Sequence, residues 1–342
     1  MKKKLSFTIF HLAFSLCAMA WQGDVVIETP NTQMLLTATE GGDLRQSYYG
    51  DKSATLQQLR NAGSDLNFHA LPAFGTVDAV HTPALQVQHF DGDLNLELRV
   101  TDYEVKDDAR TKTHIFTMAD KLMPFTVKVF YKAYKNVDVI ETWTEISHQE
   151  KKAITLKRFD SGHLVLRQGD AWITHLHGNW AAETQVTSEP LTQGMKTIRN
   201  SDGTRNSHLD APEIMLSLDG QPQELCGRTI GLALCWSGNF ELRVNTISHK
   251  EHHVYAGIAQ LLQRGALVAI VRLLQVAAFF CGEQHLCVRG FNGDIALPGH
   301  QRQRREEHQS SGKDFSHVFN PGFRLRFLSA KLTLFSKSAK FF

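Results

Sequence analysis

Between residues 94 and 100 the chain alternates apolar and polar without a break: Leu94, Leu96, Leu98 and Val100 against Asn95, Glu97 and Arg99. Successive side chains of a β-strand point to opposite faces, so a period of two specifies a strand with one face buried and one wet. Phe125, Val127, Val129 and Tyr131 repeat the pattern against Thr126, Lys128 and Lys132. Residues 137–146 and 228–244 are rich in β-branched and aromatic residues, which suit a pleated, half-buried surface. Turn chemistry separates such runs at Asp91-Gly92, Asp202-Gly203, Asp219-Gly220 and Ser237-Gly238-Asn239. Only residues 54–62 read as a helix, and a short one. Strand, turn and strand from residue 21 to 258 predict an all-β fold, a large antiparallel sandwich rather than a small barrel. No internal repeat of fixed period is visible in it.

Two flanking segments break this pattern. At the start, Lys2, Lys3 and Lys4 precede an apolar run over residues 5–16, followed by Ala18-Met19-Ala20. That order is a signal peptide, with cleavage expected after Ala20 and a periplasmic or secreted location. Cys17 does not make it a lipoprotein signal, because bulky Leu16 stands where a small residue is needed. At the other end, residues 259–281 form an apolar run with helical character, and Arg264 and Arg272 make it a poor membrane span. Residues 301–312 are polar and charged, and residues 323–342, with Phe323, Leu325, Phe327, Leu332 and Phe335, have strand character without a single acid. The division is therefore 1–20, 21–258 and 259–342, the last an atypical tail expected to be poorly ordered or not native-like. A shift of reading frame near Ile258 would produce such a change of composition.

Charge and cysteine content exclude several function classes. A formal charge of +2 is too small to argue for nucleic acid or an anionic membrane surface. Cys226, Cys235, Cys281 and Cys287 show neither a CxxC pair nor zinc spacing, and read as buried free thiols. His175 and His177 share one face of a predicted strand, while His249, His252 and His253 cluster later. A metal needs a third convergent ligand and outer partners, so surface or turn histidines are expected and no metal site. Gly227, Gly231 and Gly238 do not form a phosphate-cradling loop. Asp160 and Glu183 have no spacing that brings them together as a catalytic pair.

Five segments in order carry a family resemblance: Leu44-Arg45-Gln46-Ser47-Tyr48-Tyr49-Gly50; residues 69–78, with Pro72, Phe74, Gly75 and Asp78; Leu176 to Glu183, with Gly178-Asn179-Trp180; residues 201–212, with Gly203, Ser207, His208 and Pro212; and residues 224–240, ending Trp236-Ser237-Gly238-Asn239-Phe240. Together they resemble the amino-terminal domain of glycoside hydrolase family 36 α-galactosidases. The resemblance implies a β-supersandwich related to galactose mutarotase-like sandwiches, leading into a (β/α)₈ barrel. The family's chemistry belongs to that barrel, a retaining hydrolysis by two aspartates about 5 Å apart at the carboxyl ends of its strands. Nothing after Ile258 resembles those strands, nor the "G-E-x-F-x-T-P-E" element that joins sandwich to barrel. The chain is therefore expected to be truncated before the barrel, with no catalytic residue, no cofactor and no activity alone.

The resemblance also supplies two substrate-binding candidates. Asp65 matches the family's acidic residue shortly before the second segment, and would accept a hydrogen bond from a sugar hydroxyl; otherwise it is a solvated turn aspartate. Many members carry an arginine just after the aspartate of that segment, where Val80-His81 stands here. Trp180 is either a stacking platform for the C–H face of galactose or a buried sandwich tryptophan. The expected partner is a galactoside or oligosaccharide, and family members are often homo-oligomeric. A stand-alone galactoside-binding sandwich, or a purely structural domain, are the alternatives.

Overall fold

The computed structural model describes residues 21–52, 55–63, 68–76, 82–167, 169–203, 209–223, 226–236, 238–248, 251–259, 263–264 and 273–280. The first elements are β1 (Gly23–Glu28), β2 (Thr32–Ala38), β3 (Leu44–Asp51), α1 (Leu56–Gly63), β4 (Phe68–His69) and β5 (Leu85–Gln88). Long strands follow: β6 (Leu98–Asp107), β7 (Thr111–Asp120), β8 (Phe125–Tyr134), β9 (Val139–His148), β10 (Thr155–Leu166), β11 (Trp172–His177) and β12 (Gln185–Pro190). The remainder are β13 (Gly194–Asn200), β14 (Asp210–Ser217), β15 (Gly227–Leu234), β16 (Phe240–Ser248), β17 (Glu251–Ile258), β18 (Gln263–Arg264) and β19 (Leu273–Phe280). No helix among the described residues is long and apolar enough to cross a membrane.

Three antiparallel sheets are built from these strands. The largest has nine, in the order β12-β11-β14-β15-β19-β9-β8-β7-β6. A second runs β13-β16-β17-β10-β18, with β5 also on β10, and β1 to β4 form a third. The inner rows of the two larger sheets meet in one core: Phe116, Val127, Val129, Ile140, Ile214 and Leu232 from the first, Leu164, Leu242, Val244 and Val254 from the second. Each fully buried side chain of this size stabilises the fold by about 1.5–3 kcal/mol. The third sheet adds Val25, Ile27, Met34 and Leu36 to the same core. The all-β antiparallel sandwich expected from period-two patterning is the observed architecture.

Polar clamps hold the third sheet in place. The Gln46 amide donates to Val165 O at 3.0 Å and accepts from Val165 N at 3.3 Å, standing in for a neighbouring strand at that edge of β10. Asp138, in the turn before β9, accepts from Thr29 Oγ1 at 2.8 Å and from Asn31 N and Nδ2 at 2.7 Å each. Asp43, in the β2–β3 turn, pairs with Arg99 of β6.

Two expectations are corrected. The alternation starting at Leu94 is real in burial, with Leu96, Leu98 and Val100 all inside, but strand pairing begins only at Leu98. Upstream the backbone bonds elsewhere: Leu96 N to Phe74 O at 2.9 Å and Glu97 N to Asp120 Oδ2 at 2.7 Å. The helical reading of residues 259–281 fails where the chain is described, at Gln263–Arg264 and Leu273–Phe280, which are the strands β18 and β19. Leu, Gln and Ala favour helix locally, yet two strand neighbours override that weak preference. The predicted helix at 54–62 is present as α1, displaced by one or two residues.

Strand β10 carries a bulge between Asp160 and Gly162, opposite Gly257 of β17. A Cβ on Gly257 would lie 2.5 Å from both Asp160 Oδ1 and Phe159 O, so only glycine fits there. The bulge re-aims Asp160 across the sheet, where it forms a buried ion pair with Arg243 of β16.

Candidate functional site

Three of the resemblance-bearing segments converge at one end of the sandwich. The turn after β11 is fixed to the chain leading into β14 by Gly178 N donating to Leu209 O at 2.7 Å. Gly203 N donates to Asn239 Oδ1 at 2.7 Å, which joins the fourth segment to the fifth. Within the turn, Asn179 Oδ1 accepts from Trp180 N at 2.7 Å, and Ala182 N donates to Asn179 O at 3.0 Å. Ala181 and Thr184 both hold φ of 59°, a left-handed conformation that non-glycine residues adopt only in tight turns.

The consequence is an aromatic ring presented to solvent. Trp180 is 79% exposed, which decides between the two readings of that residue: it is not a core tryptophan. Trp236 is also exposed at 38%, its Nε1 donating to Asn239 O at 3.1 Å. An exposed indole face with amide groups beside it suits the apolar C–H side of a sugar ring and its hydroxyls. Asp65, the other predicted binding residue, lies outside the described residues.

The histidines behave differently from expectation. His252 and His253 are buried in β17, at 1% and 0% exposure, not at the surface. His163 joins them across the sheet, its Nε2 3.1 Å from His253 Nδ1 and its Nδ1 3.0 Å from His69 O. Tyr255 stacks on His163 and lies under the Arg243 guanidinium, 4.7 Å from its carbon. His175 and His177 do share a face, with His175 3.3 Å from Asp210 and His177 bonded to Thr187 Oγ1 at 2.8 Å. Burial holds the His175 ring below its ordinary range, against a smaller opposing pull from Asp210. Among the described residues no group of three or more His, Cys, Asp or Glu is arranged to hold a metal.

Sequence reasoning missed this polar layer on β10, β16 and β17. One signal was there: Arg243 sits between Leu242 and Val244, a charge inside an apolar strand. Burial pushes the Asp160 carboxyl well above the usual carboxylate range, with Arg158 pulling it down. Asp160 and Glu183 are not a pair, since Glu183 is exposed beside the Trp180 turn. Cys226 is exposed and Cys235 half-buried, so the expectation of buried thiols fails for Cys226; Cys281 and Cys287 lie outside the described residues.

The profile of the Glycosyl hydrolase family 36 N-terminal domain matches residues 41–267. The chain belongs to glycosyl hydrolase family 36. Within this family, alpha-galactosidase Mel36A of Lactobacillus acidophilus is 27% identical over 258 residues, covering 66% of this chain and 35% of Mel36A. The crystal structure of the alpha-galactosidase from Lactobacillus brevis superposes with a TM-score of 0.66 at 20% identity, over 75% of this chain and 39% of that one. A variant of the family 36 α-galactosidase AgaA from Geobacillus stearothermophilus, in complex with raffinose, gives a TM-score of 0.67 at 20% identity, over 75% and 41%. This family 36 sandwich thus spans 35% to 41% of the length of these relatives. At such identity the structural matches establish the fold alone.

Proposed function

We propose that this chain serves as the non-catalytic sandwich of an exported α-galactosidase, without hydrolytic activity of its own. The observation that carries the reading is the family match over residues 41–267, which takes in every strand from β3 to β17. In the retaining mechanism two carboxyl groups must face one another about 5 Å apart across the scissile bond. Four carboxylates among the described residues are engaged in ion pairs: Asp160 with Arg243, Glu150 with His89, Asp43 with Arg99 and Asp219 with Arg228. Export rests on Lys2 to Lys4, the apolar run after them and Ala18-Met19-Ala20.

The substrate side of the reading is a galactoside, as in the relatives named for raffinose and stachyose complexes. Trp180 and the segment holding Asp65 are its contact points, either toward a catalytic module or, as a second reading, in a stand-alone galactoside-binding sandwich. The exposure of Trp180 favours keeping that second reading. Assay of an aryl α-galactoside by the purified chain, with raffinose binding followed on the same sample, tests both. The proposal expects no turnover; hydrolysis above background contradicts it. Millimolar or tighter binding favours the stand-alone module.

A further inference from the structure

A line of hydrogen bonds crosses the buried polar layer from β4 to the start of β17. His163 Nδ1 meets His69 O at 3.0 Å, His163 Nε2 meets His253 Nδ1 at 3.1 Å, and His253 Nε2 meets Glu251 Oε1 at 2.9 Å. Register brings the rings together: His163 stands opposite Tyr255 and Val165 opposite His253, so both histidines point to one face of the second sheet. The His253 side chain is sealed from solvent while that of Glu251 keeps 15% exposure, so water meets the line at Glu251.

Neutral partners cannot complete this line. Each ring nitrogen either donates or accepts, and each of the three contacts needs one proton. His69 O only accepts, so His163 Nδ1 carries the first. Two neutral imidazoles and a carboxylate bring two protons to three contacts. One contact is then left with lone pair facing lone pair, either between the rings or between His253 and Glu251. An imidazole holds a proton about two pH units more tightly than a carboxylate does, so the third proton belongs on the rings.

The surroundings accommodate that charge. Tyr255 stacks on His163 at 4.8 Å, and Phe68 meets His253 edge-on at 5.0 Å. Arg243 of β16, on the far side of Tyr255, is paired with Asp160 of β10, and its Nε lies 3.0 Å from Glu241 Oε1. Arg158 of β10 acts on Asp160. The His69 ring is buried on β4, and His252 turns to the opposite face, its Nδ1 3.0 Å from Thr246 Oγ1.

We infer that His163, His253 and Glu251 form a proton-gated latch: a third proton closes the line from His69 O to the start of β17, and its loss opens the line at Glu251. Opening occurs there because water can replace only the partner it reaches. Above the ordinary histidine value of about 6.5 the unfolded chain has released this proton and the folded line still holds it. Its stabilisation is therefore complete below that value and is lost as the pH rises through the point where the folded line gives the proton up. This inference is independent of the galactoside reading.

The test uses the full chain and Glu251→Gln, whose amide can donate to His253 Nε2 and so complete the line with both rings neutral. Nitrogen NMR of the histidine-labelled wild type at pH 7 is expected to show protons on three of the four ring nitrogens of His163 and His253, falling to two as the pH rises. Glu251→Gln is expected to show two throughout. Two at pH 7 in the wild type, or three unchanged up to pH 9.5, overturns the latch. Above pH 7 the wild-type folding constant is expected to fall up to tenfold per pH unit relative to that of Glu251→Gln, the signature of one proton taken up on folding. Parallel profiles of the two proteins in urea unfolding overturn it as well. Should Glu251→Gln fail to fold, the proton count in the wild type still decides.

Discussion

His89 Nδ1 and Glu150 Oε1 lie 2.7 Å apart, and both side chains are fully sealed from solvent. The second ring nitrogen meets Asn95 O at 3.1 Å, an atom that only accepts, so Nε2 carries a proton. Glu150 Oε2 in turn accepts from Phe90 N at 3.0 Å. Every polar atom of the pair is thereby engaged, and it locks the loop after β5 against the end of β9. Removing one partner strands the other: Glu150→Ala is expected to cost about 3–5 kcal/mol, measured by urea unfolding. Replacing both together, as His89→Phe with Glu150→Leu, is expected to cost clearly less. Equal losses in the two variants contradict this account.

His114 gives the fold an acid sensitivity. Burial, reinforced by Lys112 and opposed by Asp107, lowers its ring from 6.5 to about 4. The folded state therefore resists a proton that the unfolded chain accepts. The contribution is complete above the ordinary value and is lost as pH falls toward the folded one, by up to about 3 kcal/mol. His114→Phe, which also gives up the bond to Tyr103 Oη at 2.8 Å, is expected to be less stable at pH 7 but flatter between pH 6.5 and 4. Parallel pH profiles of the two proteins refute the assignment.

Gly257 is required by the β10 bulge. Gly257→Ala drives a Cβ into the Asp160 carboxylate and the Phe159 carbonyl, at a cost of about 2–3 kcal/mol. Gly169 has open space around it, and Gly169→Ala is expected to change stability by less than about 0.5 kcal/mol. Thermal unfolding of the two variants side by side is the measurement.

The proposed function assigns Trp180 to ligand contact rather than to the fold. With its ring in solvent, Trp180→Ala is expected to leave stability within about 0.5 kcal/mol. Retention on immobilised α-galactoside is expected to weaken about tenfold, the loss of a single stacking contact of roughly 1.4 kcal/mol. A large loss of stability with unchanged retention reverses that assignment.

Much of the architecture was legible because a half-buried strand writes its two faces into alternate residues. Phe125 to Tyr131 and Arg228 to Val244 became β8, β15 and β16 within a few residues. What failed was non-local. No local signal tells that residues 273–280 find two strand partners, one roughly forty to fifty residues and the other well over a hundred residues upstream. The same limit hid the polar layer, since Asp160 and Arg243 meet only through a bulge and two strand pairings. Trp180 was named from its setting beside Gly178-Asn179, but its exposure follows from the turn conformation rather than from composition.

The most direct test of the central claim is hydrolysis of a nitrophenyl α-galactoside by the purified chain, with raffinose titrated calorimetrically into the same sample. The account predicts no release of nitrophenol above background. Turnover that survives purification and scales with protein concentration would place the catalytic carboxylates in this chain and contradict it.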